Sequence, residues 1–337
     1  MIDIITVENL RKTYTTYKRG SGFGETVKSL FKREKVEVNA VDDISFAVKR
    51  GAVCGLLGPN GAGKSTTIKM LCGTLFPTSG RIESMGYRPY EDRKKYVRSI
   101  GAVFGQRSQL VWDIPPVDSF NMNRAIYGIP KDEYKATLKH LTELFEVEEI
   151  INTPTRVLSL GERMKCEFIM AMLHKPEIVF LDEPTIGLDI IAKGKIREFI
   201  RSINAAGTTF ILTTHDLEDV AQLAEHVIII NHGKKVFDDD LQHLQHFVGE
   251  KKIVALSLAK PYDFDIAAAV GARLVEQKSP VELVLEVDIA KTPINDFMEL
   301  LSRNVGFLDI SIKALPMEEI IASIYELEPP EVSSAEY

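Results

Sequence analysis

Nine consecutive residues, GPNGAGKST from Gly58 to Thr66, constrain this chain more than any other feature. They directly follow an apolar run that ends at Leu57 and precede Ile68, Leu71, Cys72 and Leu75 at helical spacing. A glycine-rich loop between a strand and a helix lets backbone N–H groups converge on phosphate oxygens, and the helix N-terminus adds positive potential. Lys64 is then placed for the β and γ phosphates and Ser65 for Mg²⁺.

The first 240 residues alternate short apolar runs with helix-period stretches, the pattern of an α/β sheet. Strands are expected at Ala52 to Leu57, Ser99 to Phe104, Ile178 to Leu181, Thr208 to Thr213 and Val227 to Ile230. Tyr134, Leu138, Leu141, Leu144 and Phe145 share one helical face, and Arg163 to Leu173 reads as a second helix, so a helical lobe is inserted in the sheet. The strand IVFLDE ends in Asp182 and Glu183. Beside a phosphate loop, the first carboxylate suits Mg²⁺ held through water, and the second suits orienting or polarising an attacking water. Beyond the charged run Asp238 to Glu250, strand-like and helical segments to Glu326 describe a small α+β domain, followed by a polar tail from Pro329.

Composition excludes several classes. With 45% hydrophobic residues, 22 Gly and 15 Pro, the chain is an ordinary globular protein able to bury a sizeable core. Of the net charge of −7, residues 241–337 hold 8 Lys+Arg against 16 Asp+Glu, a balance of −8 that leaves +1 for the rest. Neither half carries the basic excess that binding nucleic acid rewards. Cys54, Cys72 and Cys166 lack paired spacing, as in a reducing cytoplasm, and the longest apolar runs fall far short of the ~18 residues that cross a bilayer.

The order of Gly58 to Thr66, Gln106, Leu158 to Glu162, Asp182 with Glu183, Asp189 and His215 resembles the nucleotide-binding subunit of an ATP-binding cassette (ABC) transporter, from about residue 4 to 240. GQRSQLVWDIP, LSLGERMKCE, FLDEPTIGLD and LTTHD are similar to the ATPases of bacterial ABC-2-type exporters of the drug, sodium or viologen efflux group. The resemblance implies an α/β P-loop NTPase of ABC type: a RecA-like core sheet with an antiparallel subdomain and an inserted helical subdomain, plus the C-terminal α+β domain. The expected division is an ATPase domain over 1–240, with a helical subdomain at about 107–160 and a basic insertion at 18–38, then a linker at 241–250, an accessory domain at 251–328 and a disordered tail at 329–337. ATP and Mg²⁺ are the implied ligand and cofactor. Implied partners are an integral-membrane permease and a second copy of the chain or a homologous ATPase subunit, at the cytoplasmic face of the cell membrane. An importer ATPase and a soluble ABC ATPase not coupled to transport are the alternatives.

Position by position, the resemblance gives the phosphates to Gly58, Pro59, Asn60, Gly61, Ala62, Gly63, Lys64, Ser65 and Thr66. It assigns adenine stacking to Tyr14, with Tyr17 as rival, and Mg²⁺ to Ser65, Gln106 and Asp182. Catalysis falls to Glu183, His215, Gln106 and Lys64. Ser159 and Gly161 would face the γ-phosphate held by a second subunit, and Asp189 would cross the dimer. The family's LSGGQ reads LSLGE here. Leu160 removes a flexible glycine, and Glu162 brings a carboxylate that repels phosphate unless it turns outward, the orientation expected from its place in the first turn of a helix. The other six histidines, including His226, His232 and His243, are expected to be solvated. Residues 18–35 hold six Lys or Arg against two acids, and Phe23, Val27, Leu30 and Phe31 share a helical face: an amphipathic basic helix or a solvated loop. Trp112 is read as either a permease-docking residue or part of the core of the helical lobe.

Overall fold

The computed structural model describes residues 2–17, 35–105, 107–214, 216–247 and 251–326. Gln106, His215, the tail and residues 18–34 of the basic insertion lie outside the described residues. The chain divides into two compact units, the first reaching Asp239 and the second running from Asp240 to Glu328.

The first unit begins with β1 (Asp3–Tyr17), β2 (Lys35–Lys49), β3 (Val53–Leu57), α1 (Lys64–Leu71), β4 (Ser79–Ser84), α2 (Arg93–Tyr96) and β5 (Ile100–Phe104). The helices α3 (Pro116–Tyr127), α4 (Lys131–Phe145) and α5 (Leu160–Met172) follow. It closes with β6 (Ile178–Asp182), α6 (Ile190–Ala205), β7 (Thr209–Thr213), α7 (Leu217–Leu223), β8 (His226–Asn231) and β9 (Lys234–Asp240). Strands β3, β6, β7 and β8 are near-continuous apolar runs, as a parallel sheet covered on both faces requires. The sheet order is β5-β6-β7-β3-β8-β9, and the first five of these are parallel. A separate sheet, β2-β1-β4, is antiparallel.

The period of two along β6 explains how one run serves two cores. Ile178 and Phe180 join Cys54, Leu56 and Ile228 with Ile5, Leu10 and Ile44 of the antiparallel sheet. Val179 and Leu181 join the opposite cluster, where Phe145 of α4 stacks on Phe199 of α6 at 4.1 Å and Phe168 of α5 meets Phe199 edge-on at 5.6 Å. The helices are thereby held on the sheet by aromatic burial.

Several expectations are corrected here. Lys35 to Val38 belong to β2, where Lys35 pairs with Tyr17 and Val38 with Tyr14, because alternating Val36 and Val38 favour a strand. Trp112 is 51% exposed and lies under the Arg163 guanidinium, 5.7 Å from the ring centre, so it is not a core residue. Nor are all the remaining histidines solvated. His226 Nε2 lies 2.7 Å from Asp238 Oδ1, and His174, stacked on Tyr127, meets the Ile100 carbonyl at 2.8 Å. The cysteines are free and buried, and burial pushes the Cys166 thiol up to about 12 and those of Cys54 and Cys72 further still. Among the described residues no helix is long and apolar enough to cross a membrane.

The second unit holds α8 (Leu241–Phe247), β10 (Lys251–Leu258), α9 (Ile266–Ala269), β11 (Arg273–Ser279), β12 (Glu282–Asp288), α10 (Ile294–Asn304), β13 (Phe307–Ala314) and α11 (Met317–Glu326). Its antiparallel sheet has the order β11-β12-β10-β13. Leu283, Leu285 and Val287, alternate residues of β12, bury one face against Phe297 and Leu301 of α10.

Candidate nucleotide site

The loop after β3 can only be built with glycine at its key turn. Gly63, the N-cap of α1, has φ 109°, and a Cβ there would lie 2.3 Å from the Ala40 carbonyl oxygen. Next to it Lys64 is 7% exposed, and its Nζ donates to the Gly58 and Pro59 carbonyls at 2.5 and 3.1 Å. Burial lowers the Lys64 pKa from its ordinary value, while the charges of Glu183 and Asp182 push it back up. A buried ammonium bonded to the carbonyls of its own loop is poised to exchange them for phosphate oxygens.

Register brings the second part of the site alongside. Asp182 pairs with Phe104 and Thr213, and Thr213 pairs with Leu56, so the carboxyl ends of β5, β6, β7 and β3 are level. Asp182 Oδ1 accepts from Thr213 Oγ1 at 2.6 Å and from Ser65 Oγ at 3.2 Å. The Gly105 N–H donates to the Asp182 carbonyl at 2.8 Å, and a Cβ on Gly105 would come within 2.3 Å of the Glu183 carbonyl oxygen. Glu183 itself has φ 55°, a strained value for a side-chain-bearing residue, and its N–H bonds the Thr213 carbonyl at 3.0 Å.

Ala40, Asn60 to Thr66 and Glu183 line a cavity of about 260 Å³. Among the described residues its walls are loop backbone, the Lys64 ammonium and the Glu183 carboxylate, and the backbone N–H groups with the ammonium suit a polyphosphate. The adjoining hard oxygens of Ser65 and Asp182 suit Mg²⁺. Tyr14 lies outside this lining, 39% exposed, with Lys12 Nζ 5.4 Å from its ring centre.

Ser159, Gly161 and Asp189 do not line the cavity either. They sit at two adjoining helix N-termini: a Cβ on Gly161 in α5 would be 3.2 Å from Ala192 Cβ in α6. Asp189 caps α6 by accepting from the Ala192 N–H at 2.8 Å. Glu162 does not turn outward. Its carboxylate folds back to accept from the Ser159 N–H at 2.8 Å and Ser159 Oγ at 2.7 Å, a capping box. Closing that box satisfies two orphan groups at once, which outweighs solvation of the side chain.

Glu167 is a site-adjacent residue that sequence reading missed. It is 3% exposed on α5 and accepts from Ser108 Oγ and from the N–H groups of Gln109 and Leu110, at 3.0 and 3.4 Å, fixing the loop just past Gln106. The one available signal was an acid within the apolar helix stretch CEFIM. Burial raises its pKa above the ordinary 4.5, with those donors pulling it back. The native state therefore binds this proton more tightly than the unfolded chain, and the associated stability is full below 4.5 and lost as pH rises through the raised value. Glu167→Gln removes the titration, so its melting temperature relative to the parent should climb as pH is raised from about 4 toward neutrality. A pH-independent difference would contradict this assignment.

Residues 41–186 match the family model described as "ABC transporter". The chain is 32% identical over 214 residues to ABC transporter ATP-binding protein NatA of Bacillus subtilis, spanning 64% of this chain and 87% of that one. It is 34% identical over 221 residues to Nod factor export ATP-binding protein I of Ralstonia nicotianae, covering 64% and 68%. Cobalt import ATP-binding protein CbiO of Rhodobacter capsulatus is 32% identical over 200 residues, covering 58% and 71%. Among solved structures, an ATP binding subunit of an ABC transporter superposes with TM-score 0.60 at 25% identity, covering 73% of this chain and 93% of the other. A dimeric ATP-binding cassette in a post-hydrolysis state bound to ADP and Pi shares the fold, with TM-score 0.59 at 22% identity over 70% and 98%. The phosphate loop with its paired carboxylates and this sustained likeness lead to one conclusion: the chain belongs to the ATP-binding subunits of ABC transporters, and it binds and hydrolyses ATP.

Proposed function

We propose that two cassettes, copies of this chain or one copy with a homologous subunit, pair head to tail around two ATP molecules and drive export through a separate ABC-2-type permease. The observation that carries this reading is the incompleteness of the cavity. Lys64, Ser65 and Glu183 line it, whereas Ser159, Gly161 and Asp189 of the same chain do not. A head-to-tail pair supplies each site with the missing residues from the other chain, and its two-fold symmetry closes the assembly.

In this mechanism the loop from Gly58 to Thr66 and Lys64 orient the triphosphate and neutralise its charge. Ser65, Asp182 and Gln106 would hold Mg²⁺, which supplies charge neutralisation between the phosphates. Glu183 takes a proton from the attacking water, His215 donates a hydrogen bond to the γ-phosphate, and Tyr14 stacks on adenine. The exporter-like stretches and the Nod-factor relative favour export, against which the cobalt-import relative stands. Placement at the cytoplasmic face of the cell membrane follows from the permease. Isolating the chain from membranes in mild detergent tests the partnership: a polytopic membrane protein should co-purify, and a chain that elutes alone with full activity contradicts it.

Glu162 bears on the pairing. Its carboxylate occupies the N-terminus of α5, where the partner's γ-phosphate must approach. Glu162→Gln keeps the capping geometry without the charge, so hydrolysis should rise about two- to tenfold. An unchanged rate would mean the carboxylate swings clear of the interface.

Residues 251–328 are proposed to tune pairing and not chemistry, since among the described residues none of this segment lines the cavity. Truncation after Glu250 should leave ATP affinity intact by calorimetry and shift the protein concentration at which hydrolysis becomes cooperative. Collapse of ATP affinity in a folded truncated chain would overturn this division.

A further inference from the structure

We propose that Asp219, paired with Arg197, is a positioning residue for hydrolysis: a buried hub that fixes the segments carrying Glu183 and His215 against the helix capped by Asp189. The side chains of Asp219 and Arg197 are 1% and 6% exposed. Asp219 Oδ1 accepts from Arg197 Nε at 2.6 Å, and Oδ2 accepts from Thr185 Oγ1 at 2.5 Å and from Thr214 Oγ1 at 3.4 Å. Thr185 lies two positions after Glu183, Thr214 immediately precedes His215, and Arg197 lies eight positions after Asp189 along α6. Three segments adjoining three proposed functional residues thus converge on one carboxylate.

Neighbouring contacts brace the same junction. Lys193, one turn closer to Asp189, donates to Asp216 Oδ2 at 2.5 Å, and Asp216 caps α7 by accepting from the Glu218 N–H at 3.0 Å. The Arg197 fork also reaches Glu218 Oε1 at 3.2 Å. A buried ion pair gives little stability over a well-packed apolar pair of similar volume, so fold stability alone does not account for it. What the pair provides is direction. Each donor has one geometry in which it reaches Asp219, and the strained backbone of Glu183, at φ 55°, persists only where its surroundings over-determine it. The Thr185 contact, two residues away, is such a determinant. A displacement of α6 caused by a partner chain at Asp189 would reach both Thr185 and Thr214 through this carboxylate.

The inference rests on the reading that Glu183 and His215 carry out hydrolysis, and the test separates the two. ATPase kinetics and melting temperature are measured on the full chain for Thr185→Val, Arg197→Lys, the double variant Arg197→Met with Asp219→Leu, and Glu183→Gln alongside. Thr185→Val and Arg197→Lys should lose about ten- to a hundredfold in kcat with KM for ATP unchanged. The double variant should regain the parent's melting temperature but not its kcat, separating positioning from packing. Parental kcat in the double variant or in Thr185→Val, with Glu183→Gln inactive, overturns the hub alone. Parental turnover by Glu183→Gln overturns the underlying reading instead.

Discussion

Glu183→Gln should retain ATP and turn it over at least about a hundredfold more slowly than the parent chain. The amide has nearly the shape of the carboxylate, so the cavity lined by Asn60 to Thr66 is preserved, and the Lys64 and Ser65 side chains keep their places. What is lost is the capacity to take a proton from water. Removing a carboxylate also eases repulsion at the γ-phosphate, so an ATP-bound pair of cassettes should accumulate. Single-turnover phosphate release and size-exclusion chromatography in ATP check both halves. Near-parental release would remove Glu183 from the chemistry.

Ser159→Arg should abolish hydrolysis while ATP affinity stays within about twofold of the parent. Ser159 is the N-cap of α5, and losing such a cap costs about 1 kcal/mol, too little to unfold a domain of ordinary stability. It does not line the cavity, so a single chain still binds nucleotide. The arginine would project where the opposing γ-phosphate must enter, and the close approach of Gly161 to Ala192 leaves α5 little room to shift away. Calorimetry with a non-hydrolysable ATP analogue, beside a steady-state ATPase assay, measures the split. Retained hydrolysis would mean that the α5 N-terminus takes no part in the site.

Sequence legibility followed the range of the interactions. The phosphate loop, β6 and its terminal acids could be read because their signals are local: a run of glycines, and an apolar stretch too short for a helix. The hairpin of β1 and β2 could not, since its two 15-residue strands pair across the intervening segment with several register shifts that break the alternation. Glu162 presents a different difficulty. The spacing from Ser159 suits a capping box, yet a first-turn acid pointing into solvent satisfies the helix dipole as well, and local sequence does not choose between them. The roles of Glu167 and Asp219 could not be read, beyond the hint of an acid in an apolar helix stretch at Glu167, because their partners lie 58 and 34 positions away, at Gln109 and Thr185. Gln106 and His215 were legible only through the order of motifs around them.

The claim that each active site is shared between two chains is tested most directly by mixing two inactive variants. Lys64→Ala lacks a working phosphate loop but keeps its α5 N-terminus, and Ser159→Arg is the reverse. Random pairing makes half of the dimers mixed, each with one intact composite site of two, so the equimolar mixture should recover about a quarter of parental ATPase activity. A mixture as inactive as its components, under conditions where the two variants are shown to associate, would contradict a shared site.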